Sequence, residues 1–136
     1  MKQLFLILPL LAGSLATAPA LGQAHAPVEG RWTSPKRNIV IEVAPCGQAW
    51  CGTVVAASAK AKASARKAGT RNLVGTRILS GARPVGKGVY KGRGFIPHRN
   101  ITAPATIRQR GPNVMEVEGC AFGGLLCKEQ RWTRVG

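Results

Sequence analysis

Aspartate is absent from this chain of 136 residues, and all five acids are glutamates: Glu29, Glu42, Glu116, Glu118 and Glu129. Histidine is as scarce, with only His25 and His98. A Ser-His-Asp triad is therefore excluded, and no serine sits in the elbow that a glutamate variant needs. His98 lies between Pro97 and Arg99 in a turn, the setting of a solvated loop residue rather than a general base. Aromatic residues make up 5% of the chain, and none interleaves with the basic residues, so there is no platform for stacking single-stranded bases. The longest apolar run, Leu4 to Ala12, is broken by Pro9. It falls far short of the ~20 residues that span a bilayer.

That run has another use. Lys2, the apolar stretch and the small and polar residues that follow have the order of a secretory signal over residues 1–24. Cleavage fits after Ala24 or after Ala26, and Ala24 is favoured because the second cut would leave Pro27 next to it. An exported, periplasmic or extracellular domain over residues 27–136 is expected, with no transmembrane segment in the mature chain. Roughly 110 residues then remain, enough for one thin core that gains from cross-links.

Four cysteines in an exported chain read as two disulfides. The local pairs Cys46–Cys51 and Cys120–Cys127 each flank a short segment with turn character. Loops this short correspond to about 2 to 2.5 kcal/mol per bridge in the chain-entropy estimate. Zinc is the rival, but the spacings are not those of metal knuckles and no histidine is near either pair. No metal and no cofactor is expected.

Along the chain, short alternating segments recur. Val28 to Thr33 opens, Asn38 to Ala44 alternates Ile39, Ile41 and Val43 against Val40, Glu42 and Ala44, and Cys51 to Ala57 returns after a turn. Leu73 to Leu79, Val89 to Ile96, Ile101 to Arg108, Val114 to Cys120 and Glu129 to Val135 complete the set. Ser80 to Gly88 carries the Gly, Pro and Lys of a turn. Pro104 lacks an N–H for a ladder and belongs at a bulge or unpaired edge. Eight short strands with mostly brief connections suit an all-β up-and-down barrel, with a mostly filled interior. Ser58 to Asn72 stands apart: five basic residues, no acid and no bulky apolar residue. It is expected to be a mobile, solvated excursion, since a helix there would have no apolar stripe to dock.

The order Gly30-x-Trp32, Cys46-Gly47-x-x-x-Cys51-Gly52, Gly111-x-Asn113, Gly119-Cys120, Cys127-x-x-Gln130-x-Trp132-Thr133-Arg134 resembles domain of unknown function 2147, a family of small exported bacterial proteins. The resemblance covers nearly the whole mature chain. It implies a lipocalin-like barrel with no assigned activity. It also implies barrel closure by Gly30, Trp32, Trp132 and Arg134, with Arg134 (or Arg131) over Trp32 in a cation–π contact of roughly 0.5 to 2 kcal/mol. Two stretches depart from the family pattern: the basic 58–72 segment, and Pro97-His98-Arg99-Asn100-Ile101 in place of an acidic, aromatic one.

The formal charge is +15, a surplus that attracts polyanions. Lys60, Lys62, Arg66, Lys67, Arg71 and Arg77 are the candidate anion-binding residues, set against plain solvation as the simpler role. Gly81 to Gly88 nearly spells a phosphate-binding loop, but Gly88 replaces the Ser or Thr that holds magnesium, and no helix pattern follows. Glu116 and Glu118 share one side of a strand, where salt bridges are expected rather than a raised pKa. Three functions follow in order of preference. The first is a non-enzymatic, monomeric barrel for a small apolar or lipidic ligand. The second is a module for anionic envelope polymers or a membrane surface, working through residues 58–77. The third is an enzyme on the barrel rim. No specific nucleic-acid site is expected.

Overall fold

The computed structural model describes residues 13–14 and 28–136. The expected export signal and cleavage site lie outside these residues, apart from Gly13 and Ser14. Eight antiparallel strands close into a barrel in sequence order: β1 (Gly30–Thr33), β2 (Ile39–Cys46), β3 (Ala49–Ala57), β4 (Arg77–Gly86), β5 (Val89–Ile96), β6 (Ile101–Gly111), β7 (Val114–Ala121) and β8 (Leu126–Arg134). One α-helix, α1 (Ala59–Lys67), lies between β3 and β4, and a short 3-10 turn, Phe122–Gly124, joins β7 to β8. The fold is the up-and-down barrel expected from the strand pattern. Among the described residues no helix is long and apolar enough to cross a membrane.

Strand periodicity sets which side chains face inward. Ile41, Val43, Val54, Leu79, Tyr90, Ile107, Met115 and Trp132 are buried with Trp32 and Val28 in one core. The intervening Glu42, Lys91 and Arg93 are exposed. Glu116 and Glu118 fall on the outer face, opposite Arg131 and Glu129 of β8.

Two expectations are corrected. The 58–72 segment is not a mobile excursion. Ser58 caps α1, its Oγ accepting from the Ala61 N–H at 3.1 Å, and Arg66 and Lys67 occupy the last turn, where the helix dipole favours cations. Ala61 and Ala65, four apart on one face, are buried, and Leu73 beyond the helix is 2% exposed. Docking of α1 does not require bulky apolar side chains. Alanine methyls meet the core by close approach instead, and Leu73 anchors the returning chain.

The fourth strand is Arg77–Gly86 rather than Leu73 to Leu79. The glycine and proline that suggested a turn at Ser80 to Gly88 mark bulges in a continuing strand, with register shifts between Ser80 and Arg83 and between Pro84 and Gly86. This bulge lays the β4 backbone over β5. A Cβ on Gly92 would stand 2.6 Å from the Ser80 carbonyl oxygen and 2.9 Å from Ala82 Cα. The true turn is Lys87-Gly88, with Gly88 at φ 69°.

Candidate functional site: a clasped base and a cationic mouth

In an up-and-down barrel every odd-to-even connection lies at one end. Here that end carries residues 34–38, 58–76, 97–100 and 122–125, and we call it the mouth. The opposite end holds the tight turns at 47–48, 87–88 and 112–113, together with the start of β1 and the end of β8.

The base is clasped by Arg134. β1 is short and pairs with β8 at only two positions, Trp32↔Arg134 and Thr33↔Thr133. Arg134 Cζ sits 4.3 Å from the Trp32 ring centroid. Its Nη1 donates to the Glu29 carbonyl at 2.6 Å and its Nε to the Pro112 carbonyl at 2.7 Å. Gly30, at φ 125°, has no Cβ, and one built there would collide with Arg134 Nη1. Trp32 is fully buried and donates from Nε1 to the Val28 carbonyl at 3.0 Å. Arg131 takes no part: it lies on the outer face, 3.4 Å from Glu116. Trp132 is buried beside Met115 in the next register pair and donates to Gln130 Oε1 at 3.2 Å.

At the mouth the wall loosens. The β6–β7 ladder ends at Ala105↔Gly119. Continued, it would set Pro104, which has no N–H, opposite Cys120. β8 from Leu126 to Arg131 is paired with β7 alone, since β1 has already turned away. The far part of the β7–β8 hairpin thus leaves both neighbouring ladders, and the Cys120–Cys127 disulfide staples it. The other bridge, Cys46–Cys51, ties the β2–β3 turn at the base. Lys128, Glu129 and Arg131 put charges along the free edge of β8, which discourages strand addition.

Between the hairpin and β6 opens a cleft of about 370 Å³. Ile101, Ala103, Pro104, Cys120 and Ala121 give it a mainly apolar lining, with Gly123 and Gly124 at its rim. The space opens where the β6–β7 ladder stops at Ala105↔Gly119, so Ile101–Pro104 and Cys120–Ala121 are not joined across it. A cavity this size matches a small ligand, toward the low end of the usual range.

The charge is equally uneven. The mouth connections carry eight Lys and Arg residues (Lys36, Arg37, Lys60, Lys62, Arg66, Lys67, Arg71 and Arg99) and no acid, whereas the tight base turns carry Lys87 alone. Lys62, Arg66 and Arg71 converge with Asn72 around a second, smaller hollow of about 220 Å³. Lys60 and Lys67, seven apart, occupy another face of α1, and Arg77 is exposed on β4 opposite Thr53. So three of the six candidate anion residues meet at one hollow. Partial burial, then the charges of Arg99, of Lys128 on β8 and of Lys36, hold the His98 pKa below 6.5. On the outer wall, Arg110 at 2.9 Å holds Glu116 below the ordinary carboxylate range. A hydrogen bond with Glu116 pushes Glu129 up. The cleft escaped the strand pattern, and its one sequence signal was Pro104 inside a strand.

Residues 30–134 match the family described as an uncharacterized protein conserved in bacteria, DUF2147. The chain belongs to that family. DUF2147 carries no assigned activity, so the match fixes kinship and not chemistry. Among solved structures, this DUF2147 barrel is similar to protein HP1028 of Helicobacter pylori, described as belonging to the lipocalin family. The two share 17% identity with a TM-score of 0.62, over 79% of this chain and 82% of that one. At that identity the likeness concerns the fold. No curated protein matches the chain. The disulfides are compatible with an exported protein.

Proposed function

We propose that this DUF2147 protein is an exported, non-enzymatic barrel that binds a small amphipathic ligand at its mouth. The apolar body of the ligand lies in the cleft between β6 and the β7–β8 hairpin, and an anionic head meets the surrounding cations. The observation that carries this is the cleft itself, a mainly apolar space of about 370 Å³ opening at the end that is rich in Lys and Arg. The lipocalin-like fold supports it, because barrels of eight strands either fill with side chains or hold one small ligand. In this chain the base half is filled by Trp32, Met115, Ile107 and Trp132, which leaves the mouth.

Titration with a medium-chain fatty acid, read through displacement of a fluorescent apolar probe, tests the proposal. Ala121→Trp places a large side chain in the cleft from a half-buried position and should weaken binding at least tenfold while the unfolding midpoint holds. Unchanged binding by that variant would sink the ligand reading. A second reading, binding of an anionic envelope polymer through residues 58–77, draws on the convergence of Lys62, Arg66 and Arg71. It predicts affinity that falls steeply with salt and is indifferent to Ala121→Trp.

A further inference from the structure

The mouth combines two surface features that the base lacks. Of the four large apolar side chains most exposed among the described residues, Leu125 (89%), Leu126 (46%) and Val74 (43%) lie at the mouth, and only Val85 (56%) lies toward the base. Leu125 and Leu126 form the tip of the stapled hairpin, which has left both neighbouring ladders. Around the same end stand the mouth's eight cations, with no acid in any of its connections. Glu42 and Glu116 are spent on strand arginines of the barrel wall, Arg31, Arg110 and Arg131. The cations of α1 and of the turns are left for an external partner.

We propose that the barrel docks mouth-down on an anionic lipid bilayer, the Leu125-Leu126 tip entering the interface and the α1 and turn cations meeting the headgroups. Exposed leucines beside uncompensated lysines and arginines match a surface that is apolar just beneath a negative layer. A soluble polyanion would use the cations and leave the leucines facing water. The disulfide holds the tip as a hairpin, so insertion carries little ordering cost. The cleft opens beside this tip, between Ile101–Pro104 and Cys120–Gly124, but docking does not depend on anything being bound there.

Vesicle flotation tests the orientation. Mature protein is mixed with vesicles of phosphatidylcholine alone, or with about a third phosphatidylglycerol, over a salt series. Binding is expected to the anionic vesicles only, weakening as salt rises. Two variants should each lower it at least tenfold, one through lost headgroup attraction and the other through lost apolar area. One neutralises Lys60, Lys62, Arg66, Lys67 and Arg71 to Gln; the other is Leu125→Ser with Leu126→Ser. Val85→Ser, toward the base, should bind as the wild type does. Unfolding midpoints check that each variant is folded. A tip already exposed gives the serine pair little reason to unfold, so that arm remains interpretable on its own. Equal binding to neutral vesicles, no binding to either, or full binding by the serine pair overturns the proposal. The last outcome, joined to loss in the charge variant, would mean adsorption by charge alone, with no insertion of the tip. A result against docking leaves the cleft reading intact, because Ala121→Trp is tested on a monomeric ligand without vesicles.

Discussion

Arg134→Ala removes the clasp of the barrel, and its cost can be worked from the contacts. The guanidinium stacks 4.3 Å over Trp32, an interaction of roughly 0.5 to 2 kcal/mol. It also donates to two backbone carbonyls, Glu29 at 2.6 Å and Pro112 at 2.7 Å. Hydrogen bonds to charged groups contribute about 1.5 to 3 kcal/mol, and this site is only half-buried, so each is discounted to about 0.75 to 1 kcal/mol. Together these give about 2 to 4 kcal/mol. Such a loss would lower the melting temperature of a domain this size by about 10 °C. Arg134→Lys keeps the charge but cannot span both carbonyls while lying flat on the ring, and should recover less than half. The assay is urea denaturation followed by tryptophan fluorescence, with a cycle through Gly30→Ala. A Cβ at Gly30 collides with Arg134 Nη1, so part of the Gly30→Ala penalty should vanish when Arg134 is already alanine. The remainder reflects the φ of 125°, which alanine rarely adopts. Coupling of about 1 kcal/mol or more is expected. An Arg134→Ala loss under ~0.5 kcal/mol, or strict additivity with Gly30→Ala, would refute the clasp.

Three further outcomes follow from the geometry. Gly92→Ala drives a methyl into the β4 backbone at Ser80 and Ala82 and should destabilise by about 1 to 3 kcal/mol. Gly119→Ala meets nothing nearer than the Pro104 carbonyl oxygen at 4.0 Å and should lie within about 0.5 kcal/mol of the wild type; similar costs for the two would contradict the bulge packing. Cys120→Ser with Cys127→Ser should remove up to about 2.5 kcal/mol and raise amide exchange from Cys120 to Lys128 well above that of the base strands. Uniform exchange would show that the hairpin tip is not an independent unit. His98 has its pKa lowered by burial and by Arg99, Lys128 and Lys36, so below about pH 6.5 the unfolded chain takes up a proton that the fold resists. Stability should fall as pH drops through that window, and His98→Asn should flatten the acid slope of the urea midpoint. An unchanged slope would remove His98 from the cationic mouth.

Much of the architecture was legible because strand periodicity is local. Ile41 and Val43 flank Glu42, and Met115 and Val117 alternate with Glu116 and Glu118, whatever the tertiary context. Cys46–Cys51 and Cys120–Cys127 close loops so short that their pairing needed little beyond the turns between them. The misreadings occurred where one residue type serves two structures. Gly81 and Pro84 look alike in a turn and in a bulge, and only the β5 strand beneath them decided which. Ala61 and Ala65 look too small to dock a helix until the core offers a surface close enough for a methyl group.

Composition alone settled that an Asp-based triad is impossible here and that the chain carries a large positive surplus. It could not settle where that surplus sits. Lys36, the α1 cations and Arg99 are spread over more than sixty positions, and they share one end only because eight antiparallel strands return the odd-to-even connections there. The cleft likewise depends on where ladders stop: Pro104 removes an N–H, β1 ends at Thr33, and the hairpin is left to stand apart. Pairing register is a property of two strands at once, so it becomes visible only when the barrel closes.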